Sequence, residues 1–393
     1  MNISTFQSNL DFIKNLYFHE EWKDEKCKKE ILEALEEANK KIEKAFGDSL
    51  HRLDKHKPSF EAVEKVVNKF PSTLSYPDQN GRFPIQRAAV TDAFEYVPVL
   101  AKQGVRHKVG GEDARGGLLT LDPSYDGRHN TLRWLVCANN SEVDVNTKQL
   151  NVLKELRKMG LLVKKDIQEQ LLLVYSSWNM AKKKFEYLVN WDPDALVETK
   201  IGDRPLIHYN IASDPKEQKI ILLLKAGFKY HSHIGGLLFI KDNYGTTGFD
   251  CLCGETGVEK AMSLLHDILS LDCEYPILHH VFVKSPEHIP TFLNKFPWAT
   301  QLRDHHGRSL QQAVLAAGPD IMNANNFLFP MLTDDQIREK DPITTLYPFA
   351  AMAVGEDADL EKSFYLLRRH PSVLERRSRS TMANNYWDET KEK

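Results

Sequence analysis

The sequence predicts an all-α chain, a solenoid of stacked antiparallel helix pairs, and three observations predict it. One phrase recurs four times in 393 residues: an amphipathic helix, then Pro-x-x-Leu or a close relative, then a glycine turn nine or ten residues past the proline, absent from the last copy. Gly116-Gly117-Leu118-Leu119 returns 119 residues later as Gly235-Gly236-Leu237-Leu238. The apolar runs between these phrases close on Gly104, Gly160 and Gly227, where left-handed C-caps are expected.

The first element is a long charged helix over residues 21–48. Ile31, Leu35, Ala38, Ile42 and Ala45 are spaced for one helical stripe, and Glu36 with Lys40 and Glu37 with Lys41 add pairs four residues apart. The stripe suits a coiled-coil arm of about three heptads or a cap laid on the first repeat. Its failure at Ser49 favours the cap, and Pro58 ends it.

The first phrase follows, with Phe60, Val63, Val66, Val67 and Phe70 on one face, Pro71-Ser72-Thr73-Leu74, and the turn Asp78 to Arg82 around Gly81. Phe185, Leu188 and Val189 lead to Pro193-Asp194-Ala195-Leu196 and Gly202 in the second. The third joins Ile289, Phe292, Leu293 and Phe296 to Pro297-Trp298-Ala299-Thr300 and the Gly307 turn. In the fourth, Leu360, Phe364 and Leu367 precede Pro371-Ser372-Val373-Leu374, and no glycine follows. The proline stops the helix, the apolar residue three later anchors an extended return, and the glycine supplies positive φ. A new helix then opens, with Pro84 and Pro205 at first-turn positions. Second helices are expected over 97–104, 150–160, 220–227 and 260–271.

At these turns the chain resembles the ankyrin-repeat proteins, in particular the loop-rich ankyrin-like families of some algae. Pieces of the phrase Asp-x-x-Gly-x-Thr-Pro-Leu-His-x-Ala stand at Asp78, Gly81, Pro84, Ile85 and Ala88, and again at Asp242, Gly245, Thr247 and Phe249. Asp304, Gly307, Ser309 and Leu310 repeat it with the leucine one place early; Gly202, Pro205, Leu206 and His208 do so with the histidine one place late. Glycine turns 46 and 43 residues apart exceed the usual repeat of about 33, so enlarged loops are expected, and a hidden unit between Gly127 and Gly202. The resemblance spans residues 59 to about 378 and implies six or seven degenerate units, with an N-terminal cap over 1–57, repeats over 58–378 and a polar tail over 379–393. It further implies glycine turns that project to one side and, with the inner helices, form a concave surface that grips partner proteins.

Composition excludes several classes. A net charge of −3 gives no general footprint for nucleic acid or anionic membrane. No apolar run approaches the ~18 residues of a spanning helix, and the start lacks the pattern of a secretory signal. Five cysteines, odd in number and sparse, point to reduced thiols in a cytoplasmic protein, with the nucleus as the alternative.

Chemistry-bearing motifs are weak. Gly111 to Gly117 puts glycine where a phosphate loop needs lysine, so a plain loop is expected. Cys251-x-Cys253, with His266, Cys273, His279 and His280, supplies zinc-type ligands, but residues two apart on a helix diverge, which favours buried thiols. His231-x-His233 and His305-His306 read as solvated turn residues. Arg368, Arg369, Arg376, Arg377 and Arg379 form the one basic cluster, expected on the solvated face of a last repeat.

The expected role is therefore non-catalytic: a protein-protein scaffold or adaptor with no cofactor, no metal, no small-molecule substrate and no membrane contact. An enzyme on a helical body and a nucleic-acid binder using the terminal arginines are the alternatives. Aromatic and arginine side chains carry disproportionate interface energy, which nominates Tyr76, Arg82, Tyr125, Arg128, Tyr244, Arg303, His305 and Arg308 at the turn tips as partner-binding residues.

Overall fold

The computed structural model describes residues 25–110, 115–125, 127–137, 143–178, 181–213, 216–269, 275–317, 334–354, 358–369 and 371–372. The described chain is mostly helical, and its strands are one two-residue hairpin, Lys200–Ile201 with Arg204–Pro205, and single bridges at three turns. It divides into two compact units, residues 1–185 and 186–393. Among the described residues no helix is long and apolar enough to cross a membrane.

Unit 1 begins with α1 (Glu25–Leu50). Ile31, Leu35, Ala38 and Ile42 are half-buried, but Ala45 is exposed; the stripe passes to Phe46 and Leu50, so it does not fail at Ser49. Phe46 stacks on Phe70 at 5.2 Å, and α1 packs on the tight turn Pro71–Ser75. The helix is thus laid on the first phrase, and the Glu37–Lys41 pair closes at 2.7 Å on its outer face.

The rest of unit 1 alternates inner and outer helices: α2 (Phe60–Lys69), α3 (Pro84–Val90), α4 (Val97–Arg106), α5 (Thr131–Val136), α6 (Val143–Lys158) and α7 (Leu172–Trp178). Helix α8 (Lys182–Trp191) crosses the boundary between units. The short helices α3, α5 and α7 pack in succession, as do α2, α4 and α6. Apolar faces are shared between the two rows, so Val67, Val97, Leu100, Leu132, Leu135, Leu153 and Leu156 are all sealed from solvent.

Unit 2 continues with α9 (Leu206–Ser213), α10 (Glu217–Tyr230), α11 (Gly248–Thr256), α12 (Val258–Leu269), α13 (Ile277–Lys284), α14 (Ile289–Lys295), α15 (Leu310–Ala316), α16 (Pro348–Met352) and α17 (Leu360–Arg369). Partners α9 and α10, α11 and α12, α13 and α14, and α16 and α17 pack as pairs; α10, α12 and α14 follow one another in a row. The stretch 127–202 does contain a further helix, α7, and it follows a residue with positive φ, Leu171, in place of glycine.

Two local readings need correction. Pro71 and Pro297 open 3-10 turns, so the segment after the proline is coiled and not extended; Leu74 anchors the first, while Ala299 replaces Thr300 as anchor in the third. Gly104 and Gly227 are not C-caps but lie inside α4 and α10. Their missing side chains allow close approach: a Cβ on Gly104 would sit 2.5 Å from the Gly116 carbonyl, and one on Gly227 2.6 Å from Leu237. That contact is the physical meaning of the 119-residue echo, since Gly116, Gly117, Gly235 and Gly236 all carry positive φ where the loop folds back on the preceding helix.

Candidate interaction surface at the turn tips

An aspartate builds five of the turns, while the Gly202 turn is a short hairpin. Asp78 accepts from the amides of Asn80 and Arg82 on Oδ1 and from Gly81 on its carbonyl, and its own amide donates to the Arg82 carbonyl. Asp242 with Tyr244, Gly245 and Thr246, and Asp304 with His306, Gly307 and Arg308, repeat this pattern bond for bond. Gly81, Gly245 and Gly307 have φ of 80°, 79° and 78°, a left-handed conformation that a β-carbon disfavours. Asp122 and Asp341 head larger versions, and Thr345 takes the left-handed position in the last.

Successive turns are tied by side chains. Arg82 Nε donates to Oδ2 of Asp122 at 2.9 Å, and Arg308 Nε to Oδ2 of Asp341 at 2.7 Å. Burial pushes the Asp122 carboxyl up, but hydrogen bonds from Ser124 and Arg82 outweigh it and hold the group below its usual range. Asp341 is lowered in the same way, by the Thr344 amide and Arg308 against burial. The third residue of five inner helices makes a second tie: Gln86, Arg133, His208, His279 and Gln312 bond the carbonyls of Thr120, Gln170, Thr246, Arg308 and Glu339. A carbonyl only accepts, so both histidines carry their proton on Nε2.

The eight nominated residues separate on this frame. Arg82 and Arg308 have 15% of their side chains exposed and brace buried carboxylates. Tyr76 packs over Gly47 and takes a bond from His51 on its carbonyl, so it fixes α1 to the first turn. Arg303 pairs with Glu339 at 2.8 Å. Tyr125, Arg128, Tyr244 and His305 are exposed. Tyr244 is 84% exposed at its apex; Tyr125 is 53% exposed and stands edge-on against His129 and Trp134. Tyr125 and Arg128 belong to unit 1, Tyr244 and His305 to unit 2.

Sequence reasoning missed the ties and the ring cluster. His129 stacks on Trp134 at 4.6 Å and meets Tyr175 edge-on, beneath Tyr125. The arginine four places after Asp78 and after Asp304, with another aspartate one unit on, was the available signal.

The other motifs resolve into packing. Cys251 and Cys253 are half-buried and not sealed as expected; burial and Asp250 push the Cys253 thiol up to about 11, and burial with Glu255 raises Cys251. Cys273 lies outside the described residues. His231 is buried and donates to the Pro193 carbonyl at 2.8 Å, so it is a brace and not a solvated turn residue; His233, His305 and His306 are exposed. Asp250, Glu287 and His288 bring ligand atoms within 4.8 Å, but Asp250 already caps α11 through Thr247 and holds His288 at 2.9 Å. Of Gly111 to Gly117, only the end is described: Arg115 forms a two-pronged pair with buried Asp166 at 2.5 and 2.6 Å, as befits a structural loop. Arg376, Arg377 and Arg379 lie outside the described residues. Compared with known proteins, the chain matches no family model and no curated sequence significantly.

Proposed function

We propose that the chain is a divergent ankyrin-like solenoid that acts as a non-catalytic scaffold, holding a partner protein at the exposed tips of its turns. One observation carries this reading. The same aspartate-centred turn recurs with its polar interior satisfied, while the side chains at its tip, Tyr125, Arg128, Tyr244 and His305, are left to water. Rigid tips bearing aromatic and arginine side chains suit binding because little side-chain entropy is lost on contact. The ties to the next turn, Arg82 to Asp122 and Arg308 to Asp341, add that rigidity.

The test is affinity capture from native extract with the intact protein, a Tyr125→Ala/Arg128→Ala variant and a Tyr244→Ala/His305→Ala variant. All four side chains are exposed, so thermal melting should stay within about 2 °C. The reading expects a defined set of proteins with the intact chain and its loss with at least one variant. An identical set from all three overturns it.

A further inference from the structure

Helix α17 is amphipathic in an unusual sense, because apolar residues occupy both faces. Ser363 and Leu366 point inward: Ser363 Oγ donates to the Phe349 carbonyl at 2.8 Å, and Leu366 joins Ile337 and Met352 in a buried cluster. Asp359 caps the start through the Lys362 amide and pairs with the Lys362 ammonium at 3.0 Å. At 100° per residue, Leu360, Glu361, Phe364, Tyr365 and Arg368 fall on the opposite face. All five are exposed, with Leu360 at 69%, Phe364 at 56% and Tyr365 at 45%. Exposed apolar groups so close together mark an interaction site.

The charges on this face identify its occupant. Glu361 stands in the first turn and Arg368 in the last, two helical turns apart, and among the described residues neither forms an ion pair. Arg368 lies along the face with its guanidinium 4.8 Å from the Phe364 ring. A helix that is acidic at one end, basic at the other and aromatic between is complementary to itself turned end for end. Antiparallel pairing about its midpoint sets Glu361 against Arg368 of the copy, twice by symmetry, and Phe364 against Tyr365. Such a contact is isologous, the commonest way for identical chains to associate.

We infer that this face of α17 is a homodimer interface and that its occupant is a second copy of the same helix. Ten residues give only about 15 Å of helix, so the buried area falls at the low end for specific contacts and the dimer is weak, with Kd on the order of 1–100 μM. The dimer is separate from partner binding at the turn tips.

Sedimentation equilibrium of the full chain from 1 to 300 μM tests this. The expected result is a mass that rises toward twice 45.1 kDa, with association at least tenfold weaker for Glu361→Arg and for Arg368→Glu. The double swap E361R/R368E recreates both pairs and should recover affinity to within about threefold of the original, which general surface damage would not do. A monomer throughout this range, a dimer indifferent to the single reversals, or a double swap as weak as the singles would each overturn the inference.

Discussion

Replacing Arg82 by methionine removes the one cationic donor to a carboxylate that has no solvent access. Asp122 accepts from Arg82 Nε at 2.9 Å, Trp134 Nε1 at 3.1 Å, the Ser124 amide at 2.9 Å and Ser124 Oγ at 2.6 Å. Breaking a buried pair costs about 3–5 kcal/mol, because the remaining charge stays buried. The three neutral donors persist and the Arg82 side chain is 15% exposed, so the loss belongs at the lower end, about 3 kcal/mol. Arg82→Met/Asp122→Asn removes the charge too and should cost only a lost hydrogen bond relative to Asp122→Asn, about 1 kcal/mol. Native-state hydrogen exchange over residues 118–136 reads both: protection should fall about a hundredfold in the first and about fivefold in the second comparison. The pH dependence has a definite sign. A carboxylate held below its ordinary pKa stabilises the fold above that value, and the contribution vanishes as pH falls through the folded value. Without Arg82 the folded pKa rises, so acid unfolding should begin at higher pH. Protection within threefold of the parent in Arg82→Met would show that the tie between these turns carries no energy.

The remaining predictions use the same logic. Gly104→Ala places a Cβ 2.5 Å from a backbone oxygen and should cost more than 2 kcal/mol, whereas Gly245→Ala meets nothing within 4 Å and suffers only its φ of 79°, about 1 kcal/mol; urea unfolding should rank them in that order. Lys184 has no solvent exposure, and its ammonium donates to the Leu135 carbonyl and Gln149 Oε1, with burial pushing its pKa down to about 8. The folded chain then binds fewer protons than the unfolded one between pH 8 and about 10.4, so stability rises with pH there by up to about 1.4 kcal/mol per unit, a slope that Lys184→Met should abolish. Burial, then His279 and His305, push His280 down to about 4, where it stacks between Tyr275 and Phe239. Its contribution is complete above about pH 6.5 and is lost as pH falls toward 4, so His280→Leu should flatten the acid limb of a thermal-melting profile.

The sequence disclosed turns more readily than ties. Gly81, Gly127, Gly202, Gly245 and Gly307 all have positive φ, because that conformation all but requires the letter G. The same letter misled at Gly104 and Gly227, where it serves close backbone approach inside a helix. The helix α7, hidden between Gly127 and Gly202, was illegible because Leu171 adopts the left-handed conformation with no glycine to signal it. Site residues fared unevenly for a different reason. Composition at a turn tip shows which side chains are present but not where they point, so Tyr125, Arg128, Tyr244 and His305 reach water while Arg82 and Arg308 turn toward the next aspartate. That distinction depends on partners 33 to 40 residues downstream, beyond any local pattern.

The ties between turns also have a direction. In every case, Arg82 to Asp122, Gln86 to Thr120, Arg133 to Gln170, His208 to Thr246, His279 to Arg308, Gln312 to Glu339, the donor precedes the acceptor along the chain. Shortening from the C-terminal side strands amides and cations, which a passing water can satisfy, whereas shortening from the N-terminal side strands shielded oxygens, among them a carboxylate. Growth on a ribosome proceeds the forgiving way at these ties: each fresh coil arrives to find its clasp already waiting.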